Sequence, residues 1–286
     1  MILAVVITYN PDKILLQKNI DSFIDYVDKV LIWNNTPNDI RNESCKIYAD
    51  DHKVIYKGAG DNVGIPKALN YAWKYAFNKG YDYLLTMDQD SVWYDFESYR
   101  DAVFKKNKDE LCICGPYALE NINSKPSNNG FVINRWQITS GMLIKTELLD
   151  AIGGYNEFFK VDCVDIEFCL RAKHKGYYSY YCSNGFLRQQ YGLPFTVGFC
   201  GRTISYVYYS PFRVEGIFEG HLLLYRKYKE SSLISDIKKN YLRNSIKALI
   251  LGKNVPRIAL FKAMALGFIK GIFLPLKNIN IQTIIK

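Results

Sequence analysis

The chain has 286 residues, 49% of them hydrophobic, and a formal net charge of +9 at pH 7. That is enough apolar material for one large domain with an appendage. Seven cysteines, odd in number and scattered, exclude a disulfide framework and suit a reducing compartment, and three histidines without zinc spacing exclude a zinc site.

The charge is uneven. Residues 223–286 hold 13 Lys and Arg against Glu230 and Asp236, a net of +11, while residues 1–222 hold 24 basic against 26 acidic side chains, a net of −2. A near-neutral body with a basic tail points to an anionic surface as partner. Nucleic acid is not expected, because the body has no basic face and no recognition motif.

The opening run Met1 to Ile7 is apolar but lacks a basic start and a cleavage site, so a first buried strand over Leu3 to Thr8 is expected rather than a signal peptide. Asn10-Pro11 reads as a helix start with Asn10 as cap, followed by Leu16, Ile20, Phe23 and Val27 on one helical face. A second strand covers Val30 to Trp33 and ends in Asn34-Asn35-Thr36-Pro37. A third covers Lys53 to Lys57 and runs into Gly58 to Gly64, whose spacing is not a dinucleotide fingerprint. The next helix carries Pro66 near its start, with Ile65, Leu69, Ala72, Trp73 and Ala76 at helical period.

A fourth apolar run, Tyr83 to Met87, stops abruptly in Asp88-Gln89-Asp90-Ser91. Alternation along a strand starts Asp88 and Asp90 from one side of the chain, and a turn there brings both to the open edge of a sheet. Such a pair suits a hard divalent cation and the phosphates it carries; a polar turn capping a strand is the plain alternative. Strands alternating with amphipathic helices imply right-handed crossovers and a mainly parallel sheet, with ligands at the carboxyl ends of the strands. Four ends direct polar groups there: Thr8-Tyr9-Asn10, Asn34-Asn35, Asp61-Asn62 and Asp88-Gln89-Asp90.

After Asp95 a helix is expected to Lys108, then a strand over Leu111 to Gly115, then a loop over 118–134. Ile138 to Lys145 reads as a strand, and its Ser140-Gly141 is a small pair over which a ligand could approach the backbone. A short helix from Thr146 stops at Gly153-Gly154. The second acidic cluster follows, Asp162-Cys-Val-Asp165-Ile-Glu167, on a helix closed by Gly176. Asp162 and Asp165 lie at or before its first turn, where the helix dipole favours an ionised carboxylate able to accept a proton; simple caps are the alternative. Glu167 and Arg171 have the spacing of an i,i+4 pair on the helix surface. Tyr177, Tyr178, Tyr180 and Tyr181 fit either a sugar-stacking surface or the core.

Four stretches, Val6 to Pro11, Asp61 to Asn70, Leu85 to Ser91 and Asp162 to Arg171, occur in this order and spacing in inverting glycosyltransferases of family 2. The chain resembles that family over residues 1 to about 230, and its Asp-Gln-Asp-Ser and Asp-x-x-Asp-x-Glu forms are most similar to the bacterial rhamnosyltransferase-like branch. The resemblance implies a GT-A fold, an α/β architecture with a mainly parallel, Rossmann-like central sheet and flanking helices. It also implies a dTDP- or UDP-linked sugar donor and a Mn²⁺ or Mg²⁺ ion. By the same resemblance Thr8, Tyr9, Asn10 and Asn34 border the base and ribose, and Asn62, Gly64, Lys67, Asp88 and Gln89 line the nucleotide. Asp88 and Asp90 would hold the metal and diphosphate, and Asp165 would be the base that deprotonates the acceptor. Ser140, Gly141, Asp162, Glu167 and Arg171 would contact the acceptor or support the site. The chain departs from the family pattern at Asn34, usually Asp, and at Gln189 or Gln190, where the branch has His. It departs again after Arg213, where Val-Glu-Gly replaces an aromatic pair.

Beyond Lys238, Lys239 and Arg243, the run Pro256 to Leu274 is apolar but interrupted by Lys262 and Lys270. It reads as a helix lying on an anionic bilayer, or one packed on the body or on a partner chain, rather than as a span. The resulting expectation has a glycosyltransferase domain over 1–230, its nucleotide half near 1–117 and its acceptor half near 118–230, and a basic helical extension over 231–286. The enzyme is expected at the cytoplasmic face of the membrane, passing a sugar to a hydroxyl of a glycan or lipid-linked glycan. The competing readings are a non-catalytic nucleotide-sugar-binding subunit and a sugar-1-phosphate nucleotidyltransferase, the latter disfavoured by the absence of a Gly-rich basic N-terminal signature. No residue pattern decides the oligomeric state.

Overall fold

A run such as Ile2–Thr8, apolar on both faces, can only sit in the middle of a covered parallel sheet, and it does. In the computed structural model, which describes residues 1–48, 51–106, 112–119, 130–189, 191–199 and 201–279, this strand, β1, has six of its seven residues buried. It lies parallel to β2 (Lys29–Asn34) on one side and to β4 (Tyr83–Asp88) on the other, with β3 (Val54–Gly58) beyond β2. β5 (Val92–Trp93), β6 (Ile113–Leu119), β7 (Phe131–Asn134), β8 (Met142–Lys145) and β9 (Ser179–Arg188) complete a nine-stranded sheet of order β3-β2-β1-β4-β8-β6-β9-β5, with β7 also paired to β9.

Pairing directions decide which loops share an edge. β8 runs antiparallel to both β4 and β6, so its amino end lies beside the carboxyl end of β4. β6 therefore runs with β4, and β9, parallel to β6, ends at the same edge. The loops after β1, β2, β3, β4 and β9 and the loop before β8 all converge there.

Helices α1 (Lys13–Asp21), α2 (Ile65–Asn78), α3 (Phe96–Lys105), α4 (Thr146–Ile152) and α5 (Val164–His174) accompany the sheet. The first departs from expectation at its start. Asp12, not Asn10, is the cap, because its carboxylate accepts the N–H groups of Ile14 and Leu15 at 2.9 and 3.0 Å, while Asn10 sits at φ 44° and turns the chain off β1. The aromatic cluster Phe23, Trp93, Phe96 and Tyr99 fills the core beside it, Trp93 stacking on Tyr99 at 4.7 Å. Tyr180 packs against this core and Tyr181 stacks on Tyr117 at 4.4 Å, so both serve the fold. Part of the helix expected to reach Lys108, and most of the loop expected over 118–134, lie outside the described residues.

The chain forms two compact units, Met1–Lys160 with Val164–Gln189, and Val161–Cys163 with Gln190–Gln282. The division at Gln189 falls earlier in the chain than the boundary expected near 230. The basic tail is thereby one part of a second unit that also holds the hairpin β10 (Leu193–Phe199) and β11 (Arg202–Tyr208) and helix α6 (Pro211–Tyr228). In this unit α7 (Ser232–Asp236), a π-helical turn over Ile237–Leu242, α8 (Arg243–Leu251) and α9 (Arg257–Phe273) follow. Phe218, Val214, Leu260 and Met264 are at the centre of its own core.

Candidate active site

The register of the parallel strands aligns the edge. Thr8 pairs with Asn34, Asn34 with Gly58, and Ile7 with Asp88, so the first polar residues of each loop start at one level. Hydrogen bonds then tie the loops together. The backbone N–H of Tyr9 donates to Gln89 Oε1 at 2.7 Å, and Gln89 Nε2 donates back to Tyr9 O at 3.2 Å. The Asn10 N–H reaches Thr36 Oγ1 at 2.9 Å. Gln89 is thus bound to the loop after β1, and Asn10 to the loop after β2.

Asn34 is buried and engaged at both ends of its amide. Its Oδ1 accepts the Thr36 N–H at 2.9 Å and its Nδ2 donates to Asp39 Oδ2 at 2.8 Å. Asp39, which sequence reasoning passed over, also accepts the N–H groups of Glu43 and Ser44. The Ser44 side chain first, and then these N–H groups and the Asn34 amide, hold its carboxyl down to about 2. Asn34 therefore acts by shaping the 34–39 turn, and the carboxylate of this corner belongs to Asp39.

Gly64, at φ 85°, precedes α2, and its N–H donates to Asn62 Oδ1 at 3.0 Å. A side chain at Gly64 would come within 3.2 Å of Lys160 O, which accepts the next N–H, that of Ile65, at 3.0 Å. Asn70 binds the backbone N–H and carbonyl of Tyr155 at 2.7 and 2.9 Å. So the start of α2, with exposed Lys67 on its first turn, is fastened to the segment leading to the second acidic cluster.

Asp88 is anchored from three sides. Its N–H donates to Ser140 Oγ at 3.2 Å, its carbonyl accepts from Asn19 Nδ2 at 2.9 Å, and its Oδ2 accepts from Gln189 Nε2 at 2.9 Å. Asn19 also donates to Ser91 O, so one buried amide holds both ends of the Asp88–Ser91 turn. Asp90, on that turn, is exposed. Asn19 was not selected by motif, and Gln189 entered only as one of the two residues standing where the branch has His. The signal for Asn19 was a polar residue on the otherwise apolar face of Leu16, Ile20 and Phe23. Gln190, the other residue in the place of the branch's His, lies outside the described residues.

Ser140 and Gly141 depart from the expected ligand approach. Both are buried, and the space above Gly141 is taken by Pro116 and Trp93, 2.6 and 3.0 Å from where a Cβ would stand. Their small size serves close packing, and Ser140 acts by holding Asp88. The same loop reaches α5, since the Gln137 N–H lies 3.3 Å from Cys169 Sγ.

On α5 the cluster divides. Glu167 is fully buried and grips Arg171 (Nε to Oε1 and Nη2 to Oε2, each 3.0 Å), while Arg171 also donates to Ile152 O and Gly154 O at 2.7 Å each. The pair expected on the helix surface is instead internal, locking α5 to the end of α4, and no acceptor can touch Glu167. Asp165, in the first turn, is half-buried. Asp162 belongs to the second unit and is held there by Arg213, whose Nη2 donates to Asp162 Oδ1 at 2.6 Å while its guanidinium lies over the Tyr209 ring. Burial pushes the Asp162 carboxyl above its ordinary range, against the pull of Arg213.

Asp88, Asp90 and Gln189 fit a hard divalent cation. Gln189 Oε1 is buried without a hydrogen-bond partner beside Asp88, an atom a cation would satisfy. Among the described residues no group of three or more His, Cys, Asp or Glu could hold a metal by itself. A cation held by two carboxylates and an amide would keep positions for a substrate's phosphates.

The architecture is that of the GT-A glycosyltransferases. Residues 1–349 of TarS from S. aureus, solved with UDP-GlcNAc, superpose with a TM-score of 0.58 over 95% of this chain and 81% of that one at 15% identity. The mannosyltransferase PcManGT from Pyrobaculum calidifontis, solved with GDP-Man and Mn²⁺, gives 0.57 over 93% of this chain and 73% of that one at 16% identity. Residues 3–162 match Glycosyl transferase family 2, and the chain belongs to that family. The dTDP-rhamnosyl transferase RfbF of Shigella flexneri is 27% identical over 203 residues, which are 61% of this chain and 64% of that protein, so the match spans less than two thirds of the relative's length.

Proposed function

We propose that this protein transfers rhamnose, or another hexose or deoxyhexose, with inversion, from a dTDP- or UDP-linked donor to a hydroxyl of a glycan or lipid-linked glycan in surface polysaccharide synthesis. It would work at the cytoplasmic face of the membrane; among the described residues no helix is long and apolar enough to cross one. The observation that carries the reading is the threefold anchoring of Asp88 beside the unpartnered Gln189 carbonyl, at the edge where the parallel strands end. The relation to RfbF makes dTDP-rhamnose the first donor to test.

In this reading Asp88, Asp90 and Gln189 hold Mn²⁺ or Mg²⁺, which when bound neutralises the charge developing on the leaving diphosphate. Thr8, Tyr9, Asn10 and the 34–39 turn shape the base and ribose pocket. Asn62, Gly64, Lys67 and Gln89 line the nucleotide; Lys67 supplies positive charge and Gln89 fixes the loop after β1. Asp165 takes the proton from the acceptor hydroxyl on the face opposite the leaving group, which couples attack to departure. Arg171 and Glu167 set the orientation of the helix that carries it. Release of dTDP from dTDP-rhamnose and of UDP from UDP-sugars, each measured with and without Mn²⁺, tests the reading. Metal-dependent release from at least one donor is expected, and no release from any donor together with metal-independent nucleotide binding would contradict it.

A further inference from the structure

Helix α9 is apolar on two faces, and only one is covered. Leu260, Ala263, Met264, Gly267 and Gly271 are buried against α6. The two glycines permit the close approach: a Cβ at Gly267 would stand 2.6 Å from Glu215 O, and one at Gly271 2.6 Å from Leu222 Cβ. Arg226 closes the end of the helix by donating to Gly271 O and Leu274 O at 3.0 and 2.8 Å. The helix is therefore fixed with its other side outward. At 3.6 residues per turn that side carries Ile258, Phe261, Leu266, Ile269, Ile272 and Phe273, each between 45% and 75% exposed. Single exposed apolar residues need no explanation, but a continuous stripe of this kind marks an interaction surface.

The charge around the stripe selects its partner. From Ile237 to Lys286 the chain has ten Lys and Arg and no Asp or Glu. Lys253, Arg257 and Lys262 line a hollow at the start of α9, and Lys262 lies within the outward face itself. Two copies joined through this face would bring like charges together without an acid from the tail to offset them. An anionic bilayer offers phosphate to the cations and hydrocarbon to the stripe at once.

We infer that the outward face of α9 is a docking surface for an anionic lipid bilayer, with Phe261, Ile269 and Phe273 entering the headgroup–acyl boundary and Arg257 and Lys262 meeting lipid phosphates. The inference rests on the peripheral-membrane part of the proposed function and is independent of its chemistry. It locates the attachment on one face of one helix rather than on the basic tail at large.

The test is cosedimentation of the full chain with vesicles of phosphatidylcholine and phosphatidylglycerol in equal parts, and with vesicles of phosphatidylcholine alone. The wild type should partition onto the mixed vesicles at least ~10-fold more strongly than onto the neutral ones at low salt. F261S/I269S/F273S and, separately, R257E/K262E should each lower that partition by about tenfold or more. Both variants should keep their melting temperature and their Mn²⁺-dependent affinity for dTDP, which separates failure of the docking surface from failure of the proposed chemistry. If the triple apolar variant does not fold, R257E/K262E carries the test alone. Unchanged partition of the folded variants, or equal binding of the wild type to neutral vesicles, would overturn the inference. So would a wild-type dimer in light scattering that ignores vesicles and falls to monomer in F261S/I269S/F273S, since a second copy would then cover the face.

Discussion

The two acidic clusters use the same residue type for opposite ends. At the end of β4 Asp88 is fixed in place through the amides of Asn19 and Gln189 and the hydroxyl of Ser140. In the second cluster two of three acids are already neutralised, Glu167 by Arg171 and Asp162 by Arg213. The first cluster is held by two amides and a hydroxyl, whereas the second is braced by two arginines, with Asp165 between the braced residues on the first turn of α5. Acidic spacing alone cannot distinguish a ligand, a base and a structural pair, whereas the partners of each carboxylate do.

That contrast can be broken most directly on α5. Asp165→Asn is nearly isosteric, so turnover should fall by about 10²–10⁴ while nucleotide affinity stays within about threefold. Asp162→Asn should instead lower the unfolding midpoint, with turnover per folded molecule much less affected. The reverse pattern in steady-state rates and urea melts would assign the base to Asp162.

Arg171→Leu removes the guanidinium that grips buried Glu167 and ties α5 to Ile152 O and Gly154 O, and should cost about 3–5 kcal/mol in urea unfolding. Lys270→Ala, which breaks the half-exposed Lys270–Glu215 pair of the second unit, should cost less than about 1 kcal/mol. Similar costs for the two would remove the distinction between an internal brace and a surface contact.

Beside Asp162 in the chain, Cys163 Sγ lies 3.2 Å from His221 Nδ1, which also faces Ile217 O at 2.8 Å and the Tyr241 ring. Burial lowers the His221 pKa from 6.5 to about 4. The unfolded chain therefore takes up a proton that the folded one refuses between those values. Stability present above pH 6.5 should be lost as the pH falls toward 4, by up to about 3 kcal/mol. Urea midpoints of the wild type should drop across this window more steeply than those of His221→Asn; parallel slopes would show that His221 is not the group responsible.

Much of the edge was legible because strand ends are local features. The apolar runs stop where the polar residues begin, and parallel pairing then brings Thr8, Asn34 and Asp88 to one level. Gln189 was legible only as a departure from a family pattern, because its contact with Asp88 depends on β9 running with β6 two strands away, and strand order leaves no periodic mark. Asn19 and Asp39 were missed for a similar reason: each acts through backbone groups of a loop whose path the residue types do not dictate. Asn10 misled as a helix cap, since its residue type serves a left-handed turn equally well and Asp12 stood two residues on. The Glu167–Arg171 spacing was correctly read as a pair, but spacing does not reveal that α4 covers it.

The central claim is that the edge at Asp88 and Asp90 binds a nucleoside diphosphate through a divalent cation. Calorimetric titration of dTDP into the wild type and Asp90→Ala, with Mn²⁺ and again after chelation, tests it most directly. The wild type should lose at least ~10-fold in affinity, about 1.4 kcal/mol, on chelation, and Asp90→Ala should bind as weakly with Mn²⁺ as the wild type does without it. Equal affinity in all four titrations would contradict the account.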